Sequence, residues 1–190
     1  WKAQWRDFSP ESFKATMGYN LSAVAFYYAL EIYGALDIPV GVVDSSWGGT
    51  RIEPWVPAST FNKDFVVPEK VGPQTPTTLW NGMVAGWAPM AMRGFIWYQG
   101  CSNAGEGDAY RAKMHLLYDG WAKEFENPGL SLYFVQLAPF SKSWFDIQLA
   151  QAKFAAEEKN AALVTACDVG NFADIHPNCK EPVAKRLALH

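Results

Sequence analysis

Of the three histidines in this 190-residue chain, one has the neighbours that proton transfer needs. His176 follows Asp174 by two positions and directly precedes Pro177, whose ring restricts the local backbone. A carboxylate that holds an imidazole in one tautomer is the base half of a hydrolase triad. An Asp-x-His pair is a short signal, so its weight depends on what the surrounding elements bring to it. His115 sits in an expected helix beside Lys113 and Met114 and reads as a surface or half-buried residue, and His190 ends the chain.

A base needs a hydroxyl to deprotonate and donors to receive the developing charge. Residues 40–50 read V-G-V-V-D-S-S-W-G-G-T. Their apolar, β-branched start after Pro39 predicts a buried parallel strand over 40–45, breaking into small residues at its carboxyl end. Ligand crevices of open parallel sheets lie at such ends, and Gly48 and Gly49 let a backbone N–H approach where a Cβ would block it. The same pair also serves as an ordinary turn, and both readings stand. Ser46 sits loosely like the exposed serine of a hydrolase elbow. Asp44, however, occupies the place two positions earlier where G-x-S-x-G requires glycine. Its other role is to shape the loop.

The remaining elements alternate. Residues 21–36 carry apolar side chains at helical spacing and stop at Asp37-Ile38-Pro39. Residues 1–18 read as irregular, with a turn at Ser9-Pro10, and 51–78 as a long Pro- and Thr-rich surface segment partly covering the site. A helix interrupted by Gly82, Gly86 and Pro89 is expected over 79–92. Further strands are expected at 94–99, 132–137 and 163–169, with helices at 108–125 and 145–160 and a last one from 181. Alternation of this kind defines an α/β fold, a parallel sheet with helices on both faces, in one domain spanning 1–190.

Composition narrows the partners. The formal charge is −3 and no Lys/Arg stripe is visible, which argues against nucleic acid or an anionic membrane. No apolar run approaches the roughly 18 residues of a spanning helix. Cys101, Cys167 and Cys179 fit neither a C-x-x-C metal pattern nor an even disulfide framework, leaving one pair plus a thiol, or three thiols. No metal or organic cofactor is implied, since the isolated histidines form no ligand cluster. Nine tryptophans are many for this length. Trp47, Trp55, Trp80 and Trp97 lie near strand ends, which suits stacking on sugar faces as well as core packing, and most are expected in the core.

Asp-Ser-Ser-Trp-Gly-Gly-Thr at one strand end, Trp-Tyr-Gln-Gly-x-Ser-Asn at the next and Asp-Ile-His-Pro after the last together resemble the sialate O-acetylesterase family, a branch of the SGNH hydrolases. Residues 21–25, Asn81-Gly82-Met83 and Phe134-Val135-Gln136-Leu137-Ala138 extend the resemblance over nearly the whole chain. The resemblance implies a three-layer αβα sandwich of SGNH/flavodoxin-like type and an acetylated carbohydrate as substrate. It implies His176 as general base, Asp174 as its orienting carboxylate, an amide of Gly48 or Gly49 and the side chain of Gln99 as oxyanion donors, with Asn103 as the other candidate for that side-chain donor. Export to the periplasm or outside the cell is the usual location in such a family.

One part of the family pattern does not occur here. The nucleophile segment, which resembles Gly-Gln-Ser-Asn-Met on the family's first strand, is absent between Trp1 and His190. The expectation is that an upstream segment, or a second chain of the same protein, supplies that strand and its serine, and that 1–190 is inactive without it. A catalytically inactive carbohydrate-binding subunit, or a self-contained hydrolase using Ser46, are the alternatives. The family also commonly has Glu where this chain has Cys101. If that carboxylate anchors Arg51, the anchor is expected to be lost.

Overall fold

Alternation along three short strands decides the layers. In the computed structural model, which describes residues 5–7, 9, 21–62, 66, 69–141 and 143–190, β1 (Gly94–Trp97), β2 (Ser131–Val135) and β3 (Ala161–Val164) lie parallel in chain order. Gly94 pairs with Ser131 and Leu132 with Ala161. Successive side chains point to opposite faces. Phe95, Trp97, Leu132 and Phe134 therefore face α2 (Asp108–Glu124) and α3 (Phe145–Glu157), meeting Met114, Leu117, Trp121, Ile147 and Phe154. Ile96, Tyr133, Val135 and Val164 face the other way, onto Val24 of α1 (Ala23–Leu36) and Val183, Ala184 and Leu187 of α4 (Glu181–Leu187). The result is a three-layer α/β sandwich.

Helix ends follow local chemistry. The Ser22 side chain accepts from Ala25 N–H at the start of α1, and Asp37 closes it in the left-handed region at φ 51°, donating its N–H to Tyr33. Asp108 lies in the first turn of α2, where a carboxylate suits the helix dipole.

Aromatic rings account for much of the larger core. Phe95 meets Trp121 edge-on at 4.4 Å and Phe125 at 5.0 Å, while Trp97 meets Trp121 at 5.9 Å. Each such pair adds about 0.5–1.5 kcal/mol beyond the area it buries. Trp55, Trp80 and Trp97 belong to this core, whereas Trp47 stands 49% exposed on the Gly48–Gly49 loop.

Four sequence expectations change. Residues 40–45 form no strand, because a strand needs a ladder partner and none of the described residues pairs with them. One edge of β1 likewise carries no neighbour among the described residues. Within 51–78, Ile52, Pro54, Trp55, Val56 and Pro57 are buried, so 52–57 line the core, while none of the described residues of 58–76 is buried and most lie at the surface. The tight turns of 52–57 have no amphipathic period for a sequence scan to detect. The expected helix over 79–92 is a π-helical turn, Trp80–Val84, followed by a tight turn, Ala85–Trp87. The last strand ends at Val164, and 165–169 belong to the loop. The irregular opening stretch with its Ser9-Pro10 turn falls mostly outside the described residues.

Candidate active site

The carboxyl end of β1 runs through Tyr98-Gln99-Gly100 into a tight turn, Cys101–Asn103. Gly100 takes φ 149°, and a Cβ there would meet Ile147 Cγ2 at 3.0 Å, so only glycine lets the chain turn against α3. Two bonds tie this turn to the glycine loop: Ser102 Oγ donates to Gly49 O at 3.0 Å and Gln99 Nε2 to Thr50 O at 3.1 Å. Gly49 itself lies at φ 75°. Buried Thr50 donates its hydroxyl to Trp47 O at 2.8 Å and accepts from the Trp55 indole at 3.0 Å. The loop backbone is therefore fixed while the Trp47 ring faces solvent.

The loop after β3 reaches the same edge from the other side. Ser141 N–H donates to Phe172 O, joining it to the segment after β2, and the Lys180 ammonium lies 5.1 Å from the Tyr98 ring centroid. Tyr98 immediately precedes Gln99. Ile175 packs against the core, while the flanking Asp174 and His176 point outward. Asp174 Oδ1 accepts the His176 backbone N–H at 2.8 Å and stands 3.8 Å from His176 Nδ1. The second distance is an ion-pair separation, longer than a hydrogen bond. The imidazole is 88% exposed.

Gln99 and Asn103, named from sequence, meet directly. Gln99 Nε2 donates to Asn103 Oδ1 at 2.9 Å, and Tyr110 OH donates to Gln99 Oε1 at 2.9 Å. Both Nε2 hydrogens are thus engaged, so an incoming oxyanion would displace one acceptor, of which Thr50 O is the more distant. Asn103 is fully buried. Its Oδ1 also accepts from Ile52 N–H at 3.0 Å, and its Nδ2 donates to Glu53 Oε2 at 3.1 Å and Glu106 Oε2 at 3.0 Å.

Sequence reasoning missed what stands behind Asn103. Glu53 and Glu106 alternate with Arg51 and Lys113 in a closed ring. Lys113 Nζ reaches Glu53 at 2.7 Å and Glu106 at 2.6 Å; Arg51 reaches Glu53 at 3.0 Å and also bonds Glu106. Burial pushes the Glu53 carboxyl up, but hydrogen bonds from Lys113 and Arg51 outweigh it and hold it at about 2. Arg51 therefore keeps a carboxylate anchor despite Cys101 at the family's Glu position, correcting the expected loss. Cys101 is a half-buried thiol whose pKa burial raises. The available signal was close spacing of opposite charges: Glu53 two places after Arg51, and Glu106 just before α2 with Lys113 seven places on, inside it.

Among the described residues no hydrogen bond joins the His176 ring to Ser46, Gly48 or Gln99. Ser46 Oγ donates to Asp44 Oδ1 at 2.8 Å, and Ser45 Oγ to Met83 O at 2.7 Å. The edge thus holds an exposed imidazole with a nearby carboxylate, a glycine turn and an oriented amide, all at the carboxyl ends of parallel strands. None of the helices described is long and apolar enough to cross a membrane.

A three-layer α/β sandwich carrying these loops at its carboxyl edge is an SGNH-like hydrolase fold, and it resembles two solved structures. A carbohydrate acetylesterase from Xanthomonas citri superposes with a TM-score of 0.80 at 32% identity, covering 88% of this chain and 39% of that one. A protein from Arabidopsis thaliana at 18% identity and TM-score 0.61, covering 85% and 64%, shows the fold alone. The family model described as carbohydrate esterase, sialic acid-specific acetylesterase matches residues 12–188, and this chain belongs to that family. It is similar to the sialate O-acetylesterases of Pongo abelii, at 32% identity, and Homo sapiens, at 31%, each alignment covering 98% of this chain. The chain spans 41% of the length of those relatives.

Proposed function

We propose that this chain is the larger, C-terminal part of the hydrolase domain of a carbohydrate O-acetylesterase, whose serine nucleophile comes from an upstream segment or a second chain of the same protein. The serine oxygen attacks the acetyl carbonyl while His176 takes its proton, with Asp174 closing on Nδ1 to hold the tautomer. Negative charge on the carbonyl oxygen is met by an amide of the Gly48–Gly49 turn and by Gln99, with Asn103 behind it. As the carbon–oxygen bond to the sugar breaks, the protonated imidazole gives its proton to the departing sugar oxygen, which leaves as a hydroxyl. Water, deprotonated by the same imidazole, cleaves the acetyl-enzyme to acetate and restores the serine.

The observation that carries this reading is the convergence of three loops at one sheet edge, joined by the Ser102–Gly49 and Gln99–Thr50 bonds and by Lys180 over Tyr98. Segment 40–45 and the outer edge of β1, which have no ladder partner among the described residues, support a further strand from the upstream segment. Hydrolysis of an aryl acetate tests it. The 190-residue chain is expected to show no turnover, and adding the serine-bearing segment to restore it, in a manner lost on His176→Ala. Turnover by the chain by itself, abolished by Ser46→Ala, would overturn the reading in favour of a self-contained hydrolase. No turnover in any combination, with retained saccharide binding, would instead identify a carbohydrate-binding subunit.

A further inference from the structure

An asparagine or glutamine side chain has nearly the same shape with its oxygen and nitrogen exchanged, so something must decide which atom faces which way. At Asn103 the decision is electrostatic. Its nitrogen faces two carboxylate oxygens, Glu53 Oε2 and Glu106 Oε2, and its oxygen faces two N–H donors, those of Ile52 and Gln99. Reversed, the oxygen would lie against both carboxylates and the nitrogen against two donors, four unfavourable contacts in a site closed to water. The polarity then passes outward. Gln99 finds acceptors at Asn103 Oδ1 and Thr50 O and a donor at Tyr110 OH, so its nitrogen points toward the glycine loop.

We infer that Glu53 and Glu106 are positioning residues that set the direction of the Gln99 amide through Asn103, with Arg51 and Lys113 bridging the two carboxylates. The carboxylates touch no reacting atom. This inference rests on the proposed role of Gln99 as an oxyanion donor for its catalytic consequence, though not for its geometry. The ring also explains why two glutamates can share one amide: each accepts from both cations, so like charges are interleaved with opposite ones.

Side-chain amide hydrogen exchange, followed by nuclear magnetic resonance on the 190-residue chain, reads the geometry directly. In Glu53→Gln and Glu106→Gln the Gln99 side-chain protons are expected to exchange at least about tenfold faster, while backbone amides of β1–β3 keep their protection. Glu53→Asp, which keeps the charge, should recover most of the slow exchange. Unchanged Gln99 exchange in the glutamine variants overturns the inference, and Glu106→Gln serves if Glu53→Gln does not fold. In a polypeptide that also carries the serine segment, kcat is expected to fall with KM nearly unchanged. Faster exchange without a fall in kcat would uphold the positioning role and remove Gln99 from the oxyanion site, which separates failure of the proposed mechanism from failure of this inference.

Discussion

Gln99 Nε2 donates to Asn103 Oδ1 at 2.9 Å, and this bond connects the carboxyl end of β1 to a ring of four charged side chains. The site edge is therefore held by polar contacts at its back and by aromatic packing beneath, and the two can be perturbed separately.

Stability should depend on acid through Glu53. Its folded pKa of about 2 lies below the ordinary 4.5, so the ring contributes stability that is present above about pH 4.5 and is lost as pH falls toward 2. Chemical denaturation at pH 5 and pH 3 is expected to show a fall in the wild type and a smaller fall in Glu53→Gln. Equal falls would show that the carboxylate is not held down.

The two adjacent glycines should differ. Gly49 lies at φ 75° with open space around its Cα, so Gly49→Ala costs the left-handed conformation, about 1–2 kcal/mol. Gly48 has no positive φ and no atom within 4 Å of an added Cβ. Gly48→Ala should then stay within about 0.5 kcal/mol of wild type in urea unfolding.

The sequence patterns were most legible where a period exists. Apolar runs gave the strands at 94–99 and 132–137, and the Asp37–Pro39 stop gave the end of α1. Segment 40–45 had strand composition but, among the described residues, no partner to make it one, which propensity cannot reveal. Ile52–Pro57 was hidden because tight turns bury residues without a period. The family resemblance nominated Gln99 and Asn103, yet their bonding depends on Glu53, Glu106 and Tyr110, residues brought together only by the fold.

Removing the Tyr110 hydroxyl should cost more than its exposure suggests. Tyr110 is fully buried, and its OH donates to Gln99 Oε1. Tyr110→Phe leaves that oxygen without its donor, a loss of about 1–3 kcal/mol in denaturant unfolding. A variant as stable as wild type would mean that another donor reaches Gln99.

Trp47 offers a test of substrate contact independent of the chemistry. Its exposed ring sits on a loop whose backbone is fixed by Thr50. Trp47→Ala is expected to leave stability within about 0.5 kcal/mol and to weaken binding of an acetylated oligosaccharide about two- to tenfold by calorimetric titration. Unaltered binding would place the sugar elsewhere.

The enclosure of Asn103 carries a consequence for how the protein ages. Spontaneous deamidation would exchange its double donor for a third acid group lodged between Glu53 and Glu106, too near them for all three to remain ionised. That reaction begins when the next backbone nitrogen, of Ala104, attacks the amide carbon; here that nitrogen is bonded to Cys101 O at 3.3 Å and four hydrogen bonds hold the amide, so the turn that orients Asn103 also guards it.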